Sequence, residues 1–475
     1  MSGQGSAARP PGGWLIKGAS PLGGDPADIL IADGMIIDVV SPARPGPVGG
    51  RGARTAGGAA AASADDLVVL DASGLIALPG LVDLHAHLRE PGREDAETVA
   101  SGTAAAALGG YTAVHAMANT EPVADTAGVV EQVWRLGRQA GHCDVRPVGA
   151  VTAGLAGRQL AELGAMAESA AGVRVFSDDG RCVSDSTIMR RALEYVKAFD
   201  GVIAQHAQEP RLTEGAQVNE GEISARLGLA GWPAVAEEAI IARDCLLAAH
   251  VGSALHVCHV STAGSVEIIR WAKSKGWRVT AEVTPHHLML TEDLVAGYDP
   301  VYKVNPPLRT SADVAALRAG LADGTIDCVA TDHAPHPVEA KETEWAAAAF
   351  GMTGLETALR VVHAAMVETG LLDWAGVADR MSFRPAAIGR LDGAVPAGGL
   401  PGGRQPDDAR HGCPLSAGSP ANLVLYDPAA GGPVDPAAHA SRSRNTPFAG
   451  MKLPGQVVAT FLRGSPTVLD GRLTR

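Results

Sequence analysis

The chain has 475 residues, with 39 Lys and Arg against 52 Asp and Glu, a formal net charge of −13. That acidic balance, with no basic block, excludes the electrostatic footprint of a nucleic-acid binder, and no apolar run is long enough to span a membrane. The opening MSGQGSAARPPGG has no basic stretch followed by an apolar one, and the six cysteines lack C-x-x-C spacing, so the reading is a cytoplasmic protein with reduced core thiols.

In chain order, short strands are predicted at 14–18 (WLIKG), 27–40 (ADILIADGMIIDVV) and 67–80 (LVVLDASGLIALPG), with Asp33-Gly34 as a tight turn. Residues 42–64 are low-complexity and are expected to form a surface insertion. From about 80 to 385 the rhythm changes to apolar strands alternating with Ala/Leu/Glu-rich helical stretches. Eight strands are predicted, at 81–88, 111–117, 144–151, 172–176, 201–206, 254–260, 277–283 and 327–332. Eight such units over this length match a (β/α)8 barrel. A doubly wound sheet also alternates strand and helix, but no G-x-G-x-x-G follows a first strand. Strand signals return at 421–428 (ANLVLYDP) and 456–464 (QVVATFLRG), after a Gly/Pro-rich stretch at 392–420. The expected fold class is α/β, with a barrel over 80–385 and a small β-sandwich domain built from residues 1–79 and 386–475.

The strand ends carry the chemistry. His85 and His87 are two apart in a strand, so both rings project from one face. Burying two such rings without partners costs several kcal/mol, which a shared metal removes. Asp178 and Asp179 follow the fourth strand, His206 ends the fifth, His259 the sixth and Asp332 the eighth. Active sites sit at strand C-termini in this fold, and imidazole with carboxylate suits Zn2+. Five or six ligands exceed one tetrahedral catalytic site, which argues for two metals sharing a carboxylate. Spacing alone does not separate Asp178 from Asp179. His115 and His256 read as core or supporting residues, and His286 and His287 as loop or supporting residues. His142, His250, His363, His411 and His439 read as surface or helix histidines, and Cys258 as facing the helical layer.

DLHAHLREPG (83–92), FSDDG (176–180), HVCHVST (256–262), KVNPPLR (303–309) and TDHAPH (331–336) together resemble the signatures of dihydroorotases, of the bacterial class I type within the amidohydrolase superfamily. The resemblance runs over about 14–470. It implies two Zn2+ per chain, one held by His85, His87 and Asp332, the other by His206 and His259, with Asp179 bridging. A carboxylated lysine is the bridge in many amidohydrolases, and no Lys lies near the fourth strand end. The resemblance further implies that His87, Arg89, Asn119 and Asn305 meet the substrate's carboxylate and ring. His336 and the Phe350-Gly351 backbone would reach the ring from a loop. Residues 346–351, AAAAFG, depart from the usual proline before Phe-Gly.

The implied reaction is the reversible cyclisation of N-carbamoyl-L-aspartate to L-dihydroorotate and water, in de novo pyrimidine biosynthesis. Asp332 would be the proton carrier, and residues 333–350 a lid. A guanidinium suits a carboxylate because its planar fork makes charge-assisted bonds. A homo-oligomer and a complex with aspartate transcarbamoylase are the partners implied. Two other readings compete: a dihydropyrimidinase, hydantoinase or allantoinase, and a non-catalytic dihydroorotase-like scaffold of aspartate transcarbamoylase.

Overall fold

The computed structural model describes residues 12–41, 67–393 and 410–475. The insertion at 42–64 lies outside the described residues, as do residues 394–409 of the second Gly/Pro-rich stretch. Among the described residues no helix is long and apolar enough to cross a membrane.

Each of the eight predicted central strands is present: Leu81–Ala86, Tyr111–Ala116, Asp144–Pro147, Val175–Phe176, Val202–Gln205, Ala254–Val257, Val279–Val283 and Cys328–Val329. Their ladders are parallel and join neighbours in chain order, as a three-stranded and a five-stranded sheet. Single parallel bridges, Gly149 to Phe176 and Ala86 to His333, link the two sheets at both ends. Ser177 N–H donates to Gly149 O (2.9 Å) at one seam and His87 N–H to His333 O (2.8 Å) at the other. The eight strands therefore form a ring. Asp83 fastens the second seam, because its carboxylate accepts from Thr331 N (2.9 Å), Thr331 Oγ1 (2.5 Å) and His85 N (3.2 Å).

The strands are shorter than predicted and stop before the polar residue that ends each apolar run. At Arg89, His259 and Asp332 the backbone enters the left-handed region, with φ of 61°, 31° and 45°. Such φ values are uncommon for residues with a side chain and gather at functional sites. Turning out of the ladder there aims these side chains across the barrel mouth. Helices cover the outside. Thr98, Thr262 and Thr310 cap Val99–Leu108, Ala263–Ser274 and Ser311–Asp323 by accepting from backbone N–H groups of the first turn.

Met117, Val148, Val175, Ala204 and Cys258 form one apolar cluster inside the barrel. Cys258 thus faces inward, contrary to the expectation that it faces the helices. The ladder ends at Val257, so strict alternation no longer decides where residue 258 points.

Strands from both chain ends share one sheet. In order across it run Arg472–Leu473, Ser465–Leu469, Lys452–Leu462, Leu423–Pro433, Ile76–Pro79, Gly13–Pro21, Ala27–Ala32 and Met35–Val40, with Leu67–Asp71 also pairing Gly13–Pro21. Asp33-Gly34 makes the expected hairpin turn, both residues having positive φ (51° and 79°). Its core is Trp14, Ile16, Ile29, Ile31, Leu423, Leu425 and Phe461. Two of the histidines read as surface or helix residues are buried where this sheet meets the barrel. His411 lies between Thr112 Oγ1 (3.1 Å) and Asp144 Oδ2 (2.9 Å), and His363 Nδ1 lies 3.0 Å from Tyr426 Oη. Each is buried because a second layer covers it, which its own local sequence does not reveal.

Candidate active site

Six side chains from five strand ends converge at the barrel mouth, all buried. Asp179 stands between two pairs. Its Oδ2 lies 3.3 Å from both His85 Nε2 and His87 Nε2, and its Oδ1 lies 3.1 Å from both His206 Nδ1 and His259 Nε2. Asp332 Oδ1 is 3.2 Å from His87 Nε2 and 3.5 Å from His85 Nε2. Atoms held tetrahedrally around zinc at ~2.0–2.1 Å lie about 3.3 Å apart, so these separations are those of two ligand sets sharing Asp179. His85 Nε2 is a buried atom with no hydrogen-bond partner, and His206 Nδ1 and His259 Nε2 approach to 2.8 Å. Two bare imidazole nitrogens repel unless a proton or cation lies between them. The donor set therefore fits a pair of divalent cations. Asp178 turns away, accepting from Val151 N (2.8 Å), Thr152 N (2.9 Å) and the Thr152 hydroxyl.

A second layer sets which nitrogen is bare in three of these rings. Glu282 Oε1 accepts from His85 Nδ1 (2.7 Å), and its Oε2 lies 2.9 Å from His256 Nε2. Asn119 Oδ1 accepts from His87 Nδ1 (2.8 Å), and Gln208 Oε1 from His206 Nε2 (2.7 Å). Glu282 and Gln208 were not singled out from the sequence. The one signal for Glu282 was a charged residue within the predicted strand at 277–283. For Gln208, two residues beyond His206, there was none. His256 supports the site through Glu282, as expected of it.

The electrostatics favour positive charge here. Burial works against the Asp179 charge, but His85, His206 and His259 outweigh it and hold the carboxyl well below its ordinary range. Asp332 is likewise lowered to about 2, its burial offset by the hydrogen bond from His87 and by the His85 charge. Burial disfavours a charged His85, yet Asp179 and Glu282 on either side raise it well above the usual value.

Around the cluster stand the residues expected to meet a substrate. Arg89 is buried and donates from Nε to Pro335 O (3.1 Å). Burial and the neighbouring Arg93 lower it to about 10, so it stays charged at neutral pH. Asn305 Nδ2 donates to Gln208 Oε1 (3.2 Å), while Asn305 Oδ1 and His336 Nδ1 are buried without a partner. His336 Nε2 lies 2.8 Å from Phe350 O. Burial and the charges of Arg89 and Lys341 lower His336 to about 3, which keeps it neutral.

A family model described as Dihydro-orotase-like matches residues 74–265. The dihydroorotase of Streptomyces coelicolor is 66% identical over 460 residues, 97% of this chain and 99% of its own length. That of Leifsonia xyli subsp. xyli is 63% identical over 96% of each chain, and that of Mycobacterium tuberculosis 54% identical over 97% of this chain and 99% of its own. The chain belongs to the dihydroorotase family. It is an enzyme of the cyclic amidohydrolase type, and that family is metal-dependent. Among solved structures, the L-hydantoinase (dihydropyrimidinase) of Arthrobacter aurescens matches with a TM-score of 0.79 at 25% identity, over 98% of this chain and 97% of that one. The dihydropyrimidinase of Brevibacillus agri NCHU1002 matches at 0.74 and 22% identity, over 97% and 96%. Dihydroorotases thus share the barrel and β-sheet architecture with these hydantoin- and dihydropyrimidine-named enzymes, and the site residues must separate them. Here the carboxylate of Asp179 stands between the two histidine pairs.

Proposed function

We propose that this chain interconverts N-carbamoyl-L-aspartate and L-dihydroorotate on the cluster around Asp179, using two Zn2+. The observation that carries the assignment is the pairing of that cluster with a buried, charged Arg89 beside it. One metal would be held by His85, His87 and Asp332, the other by His206 and His259, with Asp179 shared. When bound, the zinc pair supplies Lewis-acid activation of water and polarisation of the ring carbonyl.

The protein does the rest. Arg89 grips the substrate carboxylate with a charge-assisted fork, and Asn119 Nδ2 and Asn305 orient the ring. His87 borders the reacting carbonyl. His336 and the Phe350-Gly351 backbone close over the ring from the loop side. Asp332 takes the proton of the attacking water and delivers it to the ring nitrogen as the amide C–N bond breaks. In the closing direction Asp332 takes the proton from the ureido nitrogen as that nitrogen attacks the side-chain carboxyl, and passes it to the departing hydroxyl, which leaves as water. The division into a barrel over 80–385 and a β unit from the two ends belongs to the same proposal. It is supported by the single sheet that strands of both ends share.

Zinc-loaded protein should convert both partners of the dihydroorotate pair and neglect dihydrouracil and hydantoin. Preference for dihydrouracil would move the chain to the hydantoinase side, and no turnover of any of them would favour the scaffold reading. Arg89→Ala should lower kcat/KM for dihydroorotate about 10–100-fold, the loss of a charged hydrogen bond, with metal content intact. Elemental analysis should approach two zinc per chain, and saturation at one with full activity would refute the shared-carboxylate pair. A homo-oligomer able to dock aspartate transcarbamoylase in the cytoplasm is the remaining part of the proposal, checked by light scattering of the chain alone and mixed with that enzyme.

A further inference from the structure

Two lysines lie buried under the loop that carries His336 and Gly351, and neither forms an ion pair with a carboxylate among the described residues. Lys303 Nζ donates to Trp345 O (2.7 Å) and Ala346 O (3.1 Å) and stands 4.6 Å from the centre of the Phe350 ring. Lys341 Nζ donates to Lys303 O (3.1 Å), Ala349 O (2.8 Å) and Gly351 O (3.0 Å). An ammonium has three donors and no acceptor, so Lys341 matches three converging carbonyls. A buried ammonium without a counter-charge is expensive, and an apolar side chain would fill the space without that cost. The ammonium therefore serves the shape of the loop backbone.

Asn445 reaches the same backbone from a distant part of the chain. Its Nδ2 donates to Gly351 O (3.2 Å) and Ala334 O (3.0 Å), and its Oδ1 accepts from His336 N (3.2 Å). Gly351 N donates to Lys303 O (3.0 Å). The Gly351 carbonyl is thus shared by Lys341 and Asn445. Gly351 has φ of +141°, and a Cβ there would fall 2.8 Å from His336 Nε2, so the loop passes His336 as closely as backbone allows.

We propose that Lys341 and Asn445 are positioning residues for substrate binding: together they hold the Ala349–Gly351 backbone and His336 in the conformation that receives the ring. The proposal rests on the reading of His336 and Phe350-Gly351 as substrate contacts. Neither residue touches the metal cluster, so their loss should weaken binding and spare the chemistry. In Lys341→Met and in Asn445→Ala, KM for dihydroorotate should rise roughly tenfold or more while kcat changes less than about threefold, a split that marks lost binding. Zinc content and circular dichroism should match the wild type. Hydrogen exchange at Ala349 and Gly351 should accelerate in both variants, a readout that needs no activity. If Lys341→Met does not fold, Asn445→Ala, which removes only neutral bonds, carries the same expectation. A wild-type KM in a folded variant, or a loss confined to kcat or to zinc content, would overturn the proposal. Failure of the functional reading itself shows separately, as wild-type protein that does not turn over dihydroorotate.

Discussion

In the proposed mechanism Asp332 has two duties, metal ligand and proton carrier, that one substitution separates. As a metal ligand its carboxylate is one of several donors, and an amide oxygen can partly replace it. As a proton carrier it is irreplaceable, because an amide has no pKa near neutrality. Asp332→Asn should therefore lower kcat by at least ~10²–10⁴-fold in both directions, with zinc content and fold largely kept. Activity restored by added zinc would show that Asp332 is only a ligand. Its neighbours illustrate what a single residue's sequence context reveals. His85, His87, His206 and His259 were legible because a histidine ending an apolar strand is conspicuous. Asp178 and Asp179 were not separable, because adjacent residues at a strand end differ only in which way the loop turns. The bonds from Val151 and Thr152 draw Asp178 aside and leave Asp179 between the histidines.

At the scale of elements, strand positions were legible and strand ends were not. Apolar runs continue past the ladder, and at Arg89, His259 and Asp332 the backbone adopts positive φ shortly beyond the last paired residue. The loop over 333–350, expected to act as a lid, carries four charged residues, Glu339, Lys341, Glu342 and Glu344. Lys341 is instead buried, and the second half of the loop is pinned. Ala347 and Ala348 N–H bond to Glu344 O, Ala349 N–H to Ala340 O, and Gly351 N–H to Lys303 O. Hydrogen exchange with and without dihydroorotate should therefore leave 347–351 protected in both states. Ligand-dependent exchange concentrated in 347–351 would show that the pinned half is the moving part.

At the scale of the whole molecule, the β sheet and the barrel are tied by Asp144. Its Oδ2 meets His411 Nε2 (2.9 Å) and Arg463 Nη1 (2.6 Å), one group from each side of the second Gly/Pro-rich stretch's far end and both distant from 144 in sequence. Burial opposes the Asp144 charge, but His411 and Arg463 prevail and hold its carboxyl below the ordinary range. A lowered folded-state pKa contributes stability above the unfolded value, and that contribution is lost as pH falls through the range below it. Asp144→Asn should cost about 1.5–3 kcal/mol at neutral pH, as for hydrogen bonds to charged groups, seen as a lower Tm. The difference from wild type should shrink below about pH 4. A constant difference down to pH 3 would mean that packing, not charge, is what the substitution removes.

The sequence by itself determined the strand–helix alternation, the strands at both chain ends and the histidines and carboxylates at the strand ends, because apolar periodicity and polar strand ends are local properties of the chain. Only the tertiary structure decided which groups meet. Ring closure through Gly149–Phe176 and Ala86–His333 brings residues almost 250 positions apart within hydrogen-bond distance, as in the contact of His87 with Asp332. Glu282 behind His85 and Asn445 behind His336 likewise depend on curvature and on segments crossing from other elements. Their partners are set by which backbone and side-chain donors remain unsatisfied once the barrel has closed, and that is a property of the folded whole.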